Sequence, residues 1–349
     1  MERSTERSKN MILERIRTYL VEKRSTLTEW LRTSSADKKA VLLGPSNQEA
    51  VLAHLRAVEE AIAETESGTL GVCQVCGGSV DDDLLEVDYT ASVCIEHLSA
   101  EEIVRLQDEL ELAKTVQKAL LPQEAPVIPG LDVAAYSRPA EFLAGDYFDF
   151  IAFGADTHGL LIADVAGHGV SASLQMAGLQ ALARASVPTS RSPSEVVHRI
   201  HGLFRHNIRF VTFVTMFIGA FSPATRTLTY CNAGHNPPLV LHPDRRSETS
   251  VSWLRPTGPA LGLVEDSEFG EHALILNPGE LLVMYTDGLI EASNPGNDSF
   301  GADQLAGVVE RLHDSSSREV VRGIRMSLEG FVMGKPLLDD ITLVVCRIV

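Results

Sequence analysis

Apolar residues recur along this chain with two different periods, and the change between them falls near residue 122. Over residues 10–35, Ile12, Ile16, Leu20, Leu27 and Leu31 keep a rough helical spacing. Residues 33–38 are polar, and Gly44-Pro45-Ser46 makes a turn. Ser46 and Glu49 then form a capping-box signature ahead of a second stripe, Val51, Leu55, Val58 and Ile62, which Gly68 ends. Two such helices joined by a turn predict an antiparallel hairpin or a fragment of a helical bundle. Ser99 and Glu102 open a third helix in the same way. Ile103, Leu106, Leu110, Ala113, Gln117 and Leu120 follow as an a/d seam, with Gln117 as the polar position that fixes register in a parallel dimer. The competing arrangement is a helix lying on its own domain. Leu121-Pro122 stops it, and Pro126 and Pro129-Gly130 form a linker.

From Leu131 onward the pattern shifts to short β-rich runs between turns. Strands are predicted over 133–136, 148–153, 159–163, 213–222, 226–232, 238–242, 271–276, 280–285 and 341–348. Helices are predicted over 171–185, 194–209, 302–312 and 318–331. Hairpin-like strand groups with helices between them indicate an α+β fold, a β-sandwich flanked by helices. The expected organisation is therefore a helical hairpin with a cysteine module over 1–98, a linker helix over 99–122 and a catalytic-type domain over 123–349.

Composition narrows the functional classes. A hydrophobic content of 44% supports a packed core, and a net charge of −17 repels a phosphate backbone, so no direct nucleic-acid binding is expected. No 18-residue apolar run occurs, and the opening MERSTERSKN is too polar for a signal peptide, so a cytoplasmic protein away from membranes is expected. Of five cysteines, Cys231 and Cys346 lie in apolar runs and read as buried thiols.

The other three belong together. Cys73 and Cys76 form a CxxC pair backed by Gly77-Gly78, and Cys94 and His97 form a CxxH pair. Four such ligands suit tetrahedral Zn²⁺, with every position filled, so the site would be structural; a redox CxxC would not need the second pair. The run ETESGTLGVCQVCGG and the closing VCIEHL resemble the zinc finger of the DksA/TraR family over residues 45–98, with His97 where a cysteine is usual. That resemblance implies a role at RNA polymerase, carried by acidic residues at a coiled-coil tip. Around residues 36–48 this chain has Asp37 but no clear acidic pair.

Four acidic turns follow. Gly145-Asp146 enters a strand, Asp164 ends one ahead of Gly167-His168-Gly169, Asp287-Gly288 follows a strong strand, and Asp339-Asp340 opens the last strand. Carboxylates gathered at one end of a sandwich repel one another unless cations lie between them. An oxygen-only donor set favours Mg²⁺ or Mn²⁺. A pair of such ions would activate water for in-line attack on a phosphoryl group. His168 in the same loop is a weaker candidate, as proton donor to a leaving oxygen or as a loop-packing residue. His235 and Asn236 read as a structural turn capped by Pro237-Pro238.

These motifs closely resemble the PPM (PP2C-like) serine/threonine phosphatases of the SpoIIE and RsbU type over about residues 110–349. KALLPQ, AGDYFDF, ADVAGHGVSASL, PTGPALGL, GELLVMYTDGLIEA and LDDITLVV carry the likeness. The resemblance implies metal ligands at Asp146, Asp164, Asp287 and Asp339 and at the backbone carbonyl of Val165, with Asp340 the lesser of its pair. It implies phosphoserine or phosphothreonine in a regulatory protein as substrate, such as a STAS-type anti-sigma-factor antagonist. The expectation is a homodimeric phosphatase controlled by its zinc module. The alternatives are an RNA-polymerase-binding regulator with a degenerate phosphatase scaffold, or a hydrolase of small phosphoesters.

Overall fold

The computed structural model describes residues 48–80, 92–154, 156–167, 169–207, 213–243, 250–263 and 267–349, with isolated positions at 17, 20, 21, 24, 25, 28, 32 and 85. The predicted first helix lies largely outside these residues, and the turn at residues 44–46, the acidic-tip region and His168 lie wholly outside them. The chain forms two compact units, Met1–Gln107 and Asp108–Val349.

In the first unit, helix α1 (Gln48–Ser67) packs Val58, Ala61 and Ile62 with Leu20 and Leu70. Beyond it, Cys73, Val80, Leu85 and Cys94 make a second small cluster. Helix α2 (Ala100–Leu120) begins in this unit and ends in the next. Its start is capped as the sequence predicts: Glu102 N–H donates to Ser99 Oγ at 3.3 Å, and Ser99 N–H donates to Glu102 Oε2 at 2.9 Å.

The second unit is a sandwich of two five-stranded antiparallel sheets. One runs β1 (Leu131–Arg138), β10 (Ile341–Ile348), β9 (Leu281–Tyr285), β6 (Leu239–Leu241), β7 (Val251–Trp253). The other runs β2 (Asp146–Ala152), β3 (His158–Val165), β4 (Val214–Ser222), β5 (Thr227–Ala233), β8 (His272–Ile275). Period-two alternation sorts each central strand between two cores. In β3, Leu160 and Ile162 enter the core between the sheets, while Leu161, Ala163 and Val165 face helices α3 (Gly169–Ser186) and α4 (Pro193–Asn207). In β10, Val344 and Cys346 point inward, while Leu343 and Val345 meet helices α6 (Gly301–Arg311) and α7 (Ser317–Val332). Burial on both faces explains why these strands read as unbroken apolar runs rather than alternating ones.

Besides two single-turn 3-10 helices, Ile95–His97 and Val187–Thr189, sequence reading missed β7 and the five-residue helix α5 (Asp287–Glu291) among the described residues. Both β7 and α5 are shorter than two full periods of their own pattern. Gln117 differs from its expected part as a register-setting seam position. Its amide donates to Ala144 O at 2.8 Å and accepts from Ala144 N–H at 3.0 Å, so both its ends are spent on the catalytic-type domain's own backbone.

Candidate active site

Strand parity builds the acidic end of the sandwich. Asp146 is directly opposite Asp164 across β2 and β3, one pair beyond Tyr147 and Ala163. Both share the face of Phe148 and Ile162, which line the core between the sheets. On the opposing sheet Thr286 continues the inward parity of Leu282 and Met284, and Thr342 that of Val344. Two sheets thus present polar ends toward one another where their apolar interleaving stops.

The hydrogen bonds knit that end together. Thr286 Oγ1 donates to Asp146 Oδ2 at 2.8 Å, and Thr342 N–H donates to Thr286 Oγ1 at 2.9 Å. Asp340 accepts from Ala140 N–H at 2.8 Å and Gly145 N–H at 2.6 Å, which fixes the loop that delivers Asp146. Thr286 leads into α5, so its grip on Asp146 also positions Asp287, the first residue of that helix. Backbone approach is tight: a Cβ on Gly288 would stand 2.1 Å from Asp340 O, and one on Gly145 would stand 2.9 Å from Val165 O. Asp146 is fully buried, whereas Asp164, Asp287 and Asp339 are partly exposed.

The electrostatics follow from crowding. Burial first, then repulsion from Asp287, Asp339 and Asp340, pushes Asp164 up to about 8. Burial, then Asp164 and Asp340, holds Asp146 well above the usual carboxylate range. Asp287 is raised by burial, by Asp339 and by Glu291. Carboxylates crowded in this way form an oxygen-only donor set in need of positive charge, and they fit a hard divalent cation.

The cysteine cluster is more compact. The ligand atoms of Cys73, Cys76, Cys94 and His97 all lie within 4.8 Å of one another, the one such group of three or more among the described residues. Cys94 Sγ is 3.0 Å from His97 Nδ1 and 4.0 Å from Cys76 Sγ. Backbone N–H groups point at sulfur, from Gly78 to Cys76 at 3.3 Å and from Cys94 to Cys73 at 3.4 Å. The backbone around Cys73, Cys94 first, favours its thiolate and lowers its pKa to about 6. Burial pushes Cys94 up to about 11, with the neighbouring thiols adding to the shift. Three sulfurs and one imidazole fit Zn²⁺.

The model of the family described as stage II sporulation protein E (SpoIIE) matches residues 154–349. The chain belongs to the SpoIIE family. The chain shares 29% identity over 242 residues with the phosphoserine phosphatase RsbU of Bacillus subtilis, covering 69% of this chain and 70% of that one. The protein IcfG of Synechocystis is 28% identical over 263 residues, covering 68% of this chain and 41% of IcfG, so the chain spans less than half of that relative. Among solved structures, the SiaA-PP2C domain of Pseudomonas aeruginosa superposes with a TM-score of 0.64 at 20% identity, covering 71% of this chain and 99% of that one. The RsbU and RsbW domains of a Mycobacterium tuberculosis protein give 0.54 at 29% identity, covering 64% and 61%. The fold is that of PP2C phosphatases.

Within the SpoIIE-type domain, sequence reading missed Thr286 and the backbone-anchoring part of Asp340, which it ranked below Asp339 as a ligand. Counting parity outward from Leu282 and Met284 would have brought Thr286 to the inner face. Asp340 is the more buried of its pair and anchors backbone, while Asp339 stays partly exposed beside Asp164 and Asp287. His235 is buried, with Nδ1 at 2.8 Å from Thr215 Oγ1, and burial lowers its pKa to about 4. It is a neutral turn residue.

Proposed function

We propose that this protein is a divalent-metal-dependent phosphatase acting on phosphoserine or phosphothreonine in a regulatory protein, with a STAS-type anti-sigma-factor antagonist as the favoured substrate. The observation that carries this is the placement of Asp146 directly opposite Asp164 at one end of a SpoIIE-type sandwich, with Asp287 and Asp339 close enough to act on Asp164. These carboxylates, with the carbonyl of Val165, would hold Mg²⁺ or Mn²⁺. Bound there, such ions supply Lewis acidity that activates water and offsets phosphoryl charge.

The chain's own residues set the geometry. Asp340 and Thr286 position Asp146, and the Asp146–Asp164 register holds those two side by side. The Cys73, Cys76, Cys94 and His97 module would take Zn²⁺ and act as the regulatory end of a homodimer. Helix α2 is the route for that control, because Gln117 clasps Ala144, two residues before Asp146. Asp287→Asn removes one charge while keeping shape. It should lower Mn²⁺-dependent release of phosphate from a phosphoserine protein by at least about a hundredfold, with an unchanged circular dichroism spectrum. Full activity in that variant would sink the mechanism.

A further inference from the structure

Away from the acidic end, the side of the sandwich where both sheets stop carries a groove with the opposite charge. β1 is the edge strand of one sheet and β2 of the other. Together with residues 122–125 and one face of α7 they border a cavity of about 880 Å³. Arg318, Arg322 and Arg325 reach it from positions i, i+4 and i+7 of α7.

That placement is unfavourable for the helix alone. Like charges four residues apart repel, and Arg318 sits in the first turn, where the helix dipole disfavours a cation. Among the described residues no ion pair joins Arg318 or Arg322 to a carboxylate. Arg325 lies over the ring of Tyr136, its Cζ 4.1 Å from the centroid, and leans toward Glu329 at 3.7 Å. Its Nε is shielded from solvent without a hydrogen-bond partner. Glu124 and Glu329 also line the cavity, so its lining carries a net excess of one positive charge, with Arg318 and Arg322 the two arginines outside the Arg325–Glu329 pair. On a chain of net charge −17 such a patch is conspicuous.

We infer that this groove receives an extended acidic segment of a protein partner, carrying carboxylates at alternate positions. The spacing favours an extended ligand. Four residues of helix rise about 6 Å, and two residues of a strand advance about 6.6 Å, so alternate carboxylates keep step with Arg318 and Arg322. Leu131 also bridges to Ile128, and the Asp132 carbonyl accepts from Ser317 Oγ at 2.7 Å, but among the described residues the rest of β1, residues 133–138, is in strand pairing with β10 alone, which leaves the other edge of that stretch for strand addition. Met326, 60% exposed in the same lining, gives the segment's intervening side chains an apolar contact. The inference stands apart from the catalytic reading, since it uses none of the acidic turns.

The test is fluorescence anisotropy with the full-length protein and a labelled peptide of alternating Glu and Val. Arg318→Glu with Arg322→Glu is the variant, and retained helix content and p-nitrophenyl phosphate turnover report that it folds. The wild type should bind the peptide at low salt and lose affinity as salt rises. The double variant should bind at least about tenfold more weakly, and a peptide of alternating Lys and Val should not bind. Equal binding by the variant, or no binding by the wild type, overturns the proposal. Arginine-dependent binding of inorganic phosphate without the peptide overturns it in favour of a small-anion site. Arginine-dependent self-association without peptide binding overturns it in favour of a second copy of this chain.

Discussion

Asp164 is held at about 8 by burial and by the charges of Asp287, Asp339 and Asp340. A carboxyl whose folded pKa exceeds its unfolded value keeps a proton in the folded chain that the unfolded chain releases. Its contribution to metal-free stability is therefore full below about pH 4 and is lost as pH rises toward about 8. A divalent cation replaces that proton as counter-charge. Thermal melts in chelator should show Tm falling as pH is raised from about 5 to about 8, and Mn²⁺ should raise Tm far more at the upper end. An equal Mn²⁺ effect at both ends would contradict the crowding. At this scale the sequence was legible where an acidic residue stood beside Gly or another Asp. Thr286 was not, because a threonine becomes remarkable only once its inward parity is known.

At the scale of elements, the junction between α5 and the start of β10 is the tightest point of the site. A Cβ on Gly288 would stand 2.1 Å from Asp340 O, closer than any side chain tolerates. Gly288→Ala must push the Asp339–Asp340 segment away from α5. The expected cost is about 1–3 kcal/mol, read as a lower calorimetric Tm, together with a weaker Mn²⁺ dependence of phosphate release. Normal metal affinity in this variant would show that the junction does not set the ligand geometry. Long elements such as β4, β10 and α7 were readable from periodicity, since each repeats its pattern several times. α5 and β7 were not, since five residues and three residues cannot display a period.

Across the whole molecule, the described residues of the SpoIIE-type domain form three large apolar clusters and those of the first unit two small ones. Cys73 and Cys94 belong to one of the small clusters, so a metal held by the cysteine–histidine group would cross-link it. Cys73→Ser should remove about one equivalent of bound zinc per chain and lower the helical signal of the first unit. Mn²⁺-dependent turnover of p-nitrophenyl phosphate by the second unit should persist. Unchanged zinc content and helicity would show that the cluster is not a structural metal site.

By itself the sequence determined the α+β class, the change of texture near residue 122, the cysteine–histidine cluster and the acidic turns. Each rests on local chemistry or on a short repeat that neighbouring residues reveal. Only the tertiary structure decided that Asp146 faces Asp164, that Thr286 and Asp340 position Asp146, that Gln117 grips Ala144, and that three arginines line one groove. Those relations join residues far apart in the chain. They arise from strand register and sheet stacking, which no local pattern encodes.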